Sequence, residues 1–62
     1  MKLDRRKYEV ACARACMNTK DILAAGFPQG TLCHALGGKG IRPRTVGELA
    51  KILGCDVTEI ID

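Results

Sequence analysis

The sequence predicts an all-α fold, a compact bundle of five short helices. Apolar residues recur at the 3.6-residue spacing of helices, with no alternating strand pattern, and capping signatures alternate with Gly and Pro breaks along the chain. Asp4 caps a first helix reaching about Met17. Val10, Ala13 and Met17 mark one face of it, and Tyr8, Ala11, Cys12, Ala15 and Cys16 a second, weaker apolar side. Lys7, Arg14 and Asn18 keep a polar stripe between the two. A helix covered on two sides runs through the middle of a bundle or sets one face against a partner.

Asn18-Thr19-Lys20-Asp21 has the form of a capping box and opens a second helix that runs to about Ala25. Gly26 can take the left-handed conformation that closes it, with Phe27 buried beyond. Pro28 suits the first turn of a third helix, at about residues 28–36. There Leu32, Ala35 and Leu36 face inward, leaving Gln29, Gly30, Thr31, Cys33 and His34 on the open sides. Gly37-Gly38-Lys39-Gly40 ends that helix, and Pro43 prevents its resumption. Thr45-Val46-Gly47-Glu48 is a Ser/Thr-x-x-Glu capping box, expected to start a fourth helix. Its buried stripe is Val46, Leu49, Ala50 and Leu53, and Gly54 is the stop. Asp56-Val57-Thr58-Glu59 opens a fifth helix with Val57, Ile60 and Ile61 as its apolar side.

At 62 residues the chain reads as a single domain, 1–62. No apolar run approaches the ~20 residues of a membrane span, and the charged start, Met1 to Lys7, has no apolar segment behind it to act as a signal peptide. A cytoplasmic setting is expected. The net charge of +3 hides an asymmetry. Lys2, Arg5, Arg6, Lys7, Arg14 and Lys20 outnumber Asp4 and Glu9 in residues 1–20. Lys39, Arg42 and Arg44 meet no acid from Ile22 to Gly47. Acids collect in the tail as Glu48, Asp56, Glu59 and Asp62, against Lys51 alone. Such a distribution suits a polyanionic partner bound by the first three-quarters of the chain.

The order of features from Asn18 to Leu53 is the one a helix-turn-helix DNA reader requires: a sharp bend, a thin helix with small polar side chains outward, then a basic loop. Asn18 to Asp21, Gly26-Phe27-Pro28, Thr31-Leu32 with Gly38-Lys39, and Arg42-Pro43-Arg44-Thr45-Val46 leading into Leu49-Ala50-Lys51-Ile52-Leu53-Gly54 together resemble the Cro/repressor (XRE-like) helix-turn-helix family of bacterial and phage regulators. Asp56 to Ile61 looks like that family's fifth helix, and the resemblance covers roughly residues 3 to 62. It implies a lambda-repressor-like five-helix domain with the helix-turn-helix in helices two and three. It further implies that the chain is a small single-domain bacterial or phage-encoded transcriptional regulator, a repressor, binding specific double-stranded DNA. By the same resemblance Gln29, Gly30, Thr31, Cys33 and His34 are base-facing, while Thr19, Lys39, Arg42 and Arg44 approach phosphates.

Three departures bear on this. The second helix is one residue shorter than the pattern, and Leu23 stands where a small Ala is usual. Leu36 replaces an acid that some members pair with a first-helix arginine resembling Arg14. A protein-interaction module of the same fold, antitoxin-like or anti-repressor, is therefore the alternative. Pairing as a homodimer on DNA is expected, through Val57, Ile60 and Ile61 rather than Tyr8, Cys12 and Cys16, because Arg5-Arg6-Lys7 would repel its symmetry mate.

Cys12, Cys16, Cys33 and Cys55 with His34 invite a zinc site. Only Cys12 and Cys16 are closely spaced, however, and zinc modules favour knuckle-borne pairs. Cysteines acting as small buried hydrophobes are the better account, so no metal and no cofactor is expected. No Ser, Asp or Glu is placed to complete a triad with His34, and the chain leaves no room for a substrate cavity beside a scaffold. No small-molecule ligand and no enzyme activity are expected.

Overall fold

The structure is a computed structural model describing residues 1–62. It has four α-helices: α1 (Arg5–Ala15), α2 (Thr19–Ala24), α3 (Gln29–Leu36) and α4 (Pro43–Leu53), followed by a single 3-10 turn, η1 (Val57–Glu59). The expected fifth helix is thus only a turn. Its capping box forms, with Asp56 and Glu59 satisfying each other's backbone N–H groups. The chain then leaves the helical path, because Ile60 and Ile61 are drawn into pairing with the N-terminus. The Asp4 N–H donates to the Ile60 carbonyl at 2.9 Å, and Leu3 and Ile61 form an antiparallel bridge. β-Branched residues accept that extended geometry readily.

α4 is the organising helix. Val46, Leu49, Ala50 and Leu53 are all buried as expected, and the helix packs against α1, α2 and η1. Its start differs from the expectation. Arg42 is the N-cap and Pro43 opens the helix, so Thr45 lies inside the first turn and the Thr45–Glu48 box does not form. Proline's fixed φ and missing N–H favour just this first-turn place. Glu48 instead reaches back to Arg44 at 3.6 Å, an exposed pair of little energetic weight. Similarly, Pro28 is the N-cap of α3 rather than its first residue.

On α1 the second apolar side is the one that is buried. Tyr8, Ala11 and Cys12 join the core and Ala15 packs against it, while Val10 is 49% exposed. Spacing of i, i+3, i+4 and i+7 makes this the more continuous stripe, and its small Ala and Cys side chains admit close packing. α1 also ends before Met17, because Cys16 turns left-handed at φ 55°. The α2 capping box forms as expected, Gly26 takes φ 103°, and Phe27 is 4% exposed. Leu32 and Ala35 are buried, and Leu36 is half-buried at the edge of the same core. No polar residue is buried. No helix is long and apolar enough to cross a membrane.

Ile60 has no exposed surface, and Ile61 is half-buried beside Leu3, so the aliphatic C-terminal face expected for dimer contact is largely consumed within the chain. Of the alternative contact, Tyr8 and Cys12 are core residues too, while Cys16 is exposed. Removing one methyl group by Ile60→Val should lower unfolding free energy by about 0.5–1.5 kcal/mol in urea titrations. Val10→Ala, on the exposed side of α1, should change it by less than about 0.5 kcal/mol. Equal effects at the two sites would contradict this assignment of the buried face.

Candidate nucleic-acid interface

α3 presents its polar side outward because Leu32 and Ala35 are held in the core. Gln29 and Cys33 stand one turn apart in one exposed row, and Gly30 and His34 in the next. Thr31 is half-buried at the flank. Opposite that flank lies the loop before α4, and between them is an open cleft. Gly30, Thr31 and His34 line one wall, Gly40, Ile41 and Arg42 the other, with Thr45 behind. Ile41 is its one aliphatic residue. Small-molecule pockets are mostly apolar and enclosed, so this polar cleft suits a polar partner.

Two features bring positive charge to the cleft. Arg42 is exposed and forms no side-chain ion pair. In addition, two helices begin there without side-chain caps, Pro28 preceding α3 and Arg42 preceding α4. The first N–H groups of an uncapped helix are unpaired and carry partial positive charge. Gly30 adds room: a side chain built there would meet nothing within 4 Å. A glycine inside a helix is less stable than alanine by roughly 0.8–1.0 kcal/mol. Nothing in the chain itself therefore requires glycine at this position.

Of the nine residues singled out from the sequence, Gly30, Thr31, His34 and Arg42 meet in this cleft. Gln29 and Cys33 share the exposed side of α3 but do not line it. Lys39 and Arg44 flank it from the loop and from the first turn of α4, both exposed. Thr19 is separate. It begins α2 in a groove shared with Arg5, Tyr8, Asn18 and Leu36. The Tyr8 hydroxyl lies 3.3 Å from the Thr19 hydroxyl and fixes its position. Burial raises the Tyr8 pKa, with the Thr19 hydrogen bond opposing, so the phenol is neutral at physiological pH.

The sequence reading missed Thr45 and Arg5 as neighbours of these surfaces. Pro43 was the available signal for Thr45: with proline opening the helix, Thr45 falls in the first turn rather than at the cap. Nothing local marked Arg5, which comes to share a groove with Thr19 only through the tertiary fold. Arg14 has a partner after all: it donates to Glu59 at 2.6 Å, tying α1 to η1. The four cysteines are unpaired, and no group of three or more His, Cys, Asp or Glu side chains is placed to share a metal ion. Burial raises the thiol pKa of Cys12 and Cys55. No known protein family, curated protein or solved structure matches the chain.

Proposed function

We propose that this chain is a sequence-specific double-stranded DNA-binding regulator of the helix-turn-helix kind, with α2, the Gly26 turn and α3 as the reading unit. The observation that carries this is the outward face of α3, polar and free of acids, beside a cleft edged by Arg42 and flanked by Lys39 and Arg44. An α-helix fits a major groove, and Gln29 at its start can pair through its amide with both N6 and N7 of adenine. His34, one row over, reaches a neighbouring base edge. Lys39, Arg42, Arg44 and the uncapped helix starts hold phosphates, as does the Thr19 hydroxyl on the α2 side. These fix register without reading sequence. Transcriptional repression follows from occupying a promoter, and two copies on a two-fold site would extend the few base pairs one helix reads.

Fluorescence anisotropy on duplexes across a salt series tests this directly. About 6–10 phosphate contacts, shared by two copies, give a slope of log K against log salt near −5 to −9. A slope near zero on every duplex would sink the DNA reading and favour a protein-interaction module. Replacing Arg42 and Arg44 with Ala should weaken binding to all sequences alike and flatten the slope by about one for each phosphate no longer neutralised.

The base-facing residues should behave differently. Gln29→Ala should cost about 1–3 kcal/mol on the preferred site selected from random DNA and much less on unselected duplexes. Equal loss on both would place Gln29 on phosphate or on nothing.

Gly30→Ala separates fold from contact. It should raise thermal stability by up to about 1 kcal/mol of helix propensity while weakening the preferred site, because the added methyl group fills the space a close-lying base or backbone would use. Unchanged affinity would show that Gly30 is not approached.

A further inference from the structure

We propose that residues 1–3 are a positioning strand for the basic loop, holding Lys39 and Arg42 at the orientation in which they meet phosphate. This rests on the DNA-binding reading above. Apart from the half-buried Ile41 side chain, which packs against the core, the loop has little to hold it otherwise. Gly37, Gly38 and Gly40 surround Lys39, and Gly38 takes φ 84°. The Lys39 N–H donates to the His34 carbonyl at 3.3 Å, and the Arg42 carbonyl accepts from the Val46 N–H at 3.1 Å. Between those two bonds the loop's backbone hydrogen bonds go to Met1 alone. The Ile41 N–H donates to the Met1 carbonyl at 2.7 Å, and the Met1 nitrogen donates to the Ile41 carbonyl at 2.9 Å. Lys2 and Gly40 face each other in an antiparallel bridge.

The opposite edge of the same strand is tied to the body of the fold. The Asp62 N–H donates to the Lys2 carbonyl at 3.0 Å, and Leu3 bridges to Ile61. The Leu3 side chain is 6% exposed in the core. Residues 1–3 therefore transmit the rigidity of the core to a glycine-rich loop that carries two of the cations. A cation already held in its bound orientation loses less conformational freedom on meeting phosphate, which is where the affinity gain arises. The backbone of Met1 and Lys2, rather than their side chains, does the positioning.

The test compares the full chain, Lys2→Ala, and a chain beginning at Leu3 released from a cleavable fusion. Binding to a random duplex is followed by anisotropy over a salt series, well below each protein's thermal midpoint, and Ile41 amide exchange by NMR. The shortened chain should bind about tenfold more weakly to every duplex through reduced preorganisation, with a salt slope shallower by about one to two and an Ile41 amide that exchanges freely. A strand that served stability alone would leave the slope of the folded fraction unchanged. Lys2→Ala, which keeps the backbone pairing, should stay within about threefold of the full chain, the range of one exposed charge. If the shortened chain fails to fold, Ile41→Pro, which removes the N–H donor and leaves Leu3 in place, must show the same loss of affinity and the same shallower slope. Full affinity and slope in the variant that lacks the pairing would overturn the proposal, as would a Lys2→Ala loss equal to that of the shortened chain. A full chain that binds no duplex at any salt would overturn the DNA reading itself, and this inference with it.

Discussion

A helix of 11 residues is marginal in water, and helices of 8 or 6 residues are worse. What holds these elements is the burial of one stripe on α4. Val46 and Leu49 have no exposed surface, and Ala50 and Leu53 little. Because α1, α2 and η1 all pack on that helix, the stripe sets where each of them lies. Ala50 matters beside the larger residues, since a small side chain lets a neighbouring backbone approach. α3 depends on the same core through Leu32 and Ala35, and their burial decides which of its side chains remain outside. The polar face of α3 is thus a consequence of apolar packing.

The apolar and charged parts of the molecule divide the work cleanly. No polar or charged residue is buried, and the Tyr8 hydroxyl meets Thr19 at the edge of the core, so specificity of fold rests on packing and caps rather than on internal hydrogen-bond networks. The cations are left on the surface, where Lys7 and Arg14 are engaged within the chain and Arg42 forms no side-chain ion pair. Two acids of the tail are engaged close to home: Glu59 holds Arg14 at 2.6 Å, and Glu48 stands beside Arg44. Because the second of these pairs is weak and exposed, Arg44 can leave it at little cost.

Much of the fold was legible in the chain because its signals were local. The α2 capping box, the left-handed Gly26, the burial of Phe27 and the α4 stripe each follow from a few neighbouring residues. Failures came where distant segments decided. Ile60 and Ile61 read as a helix face until Leu3, far away in sequence, offers an extended partner. On α1, the continuous spacing of Tyr8, Ala11, Cys12 and Ala15 already marked the side that is buried, and packing against α4 fixes it there. Thr45 was misplaced for a local reason, since two helix-start signals overlapped and proline's fixed φ prevailed. The candidate interface was legible in its α3 and loop residues. Arg5 and the backbone of Met1 were not, because their place beside it arises only in three dimensions.

The pairing of Lys2 with Asp62 has a topological corollary. With Lys2 and Asp62 hydrogen-bonded at 3.0 Å, a linker of a few residues could close the backbone into a ring without moving a helix. New ends could then be opened within the exposed Gly37–Gly38 stretch, giving a circularly permuted chain whose core is intact. The same proximity means that any polypeptide fused to either end leaves from one side of the domain, beside the loop that carries Lys39 and Arg42. Two copies joined head to tail by a short linker would start and finish at this one place, so linker length alone would govern how far apart their α3 helices can reach.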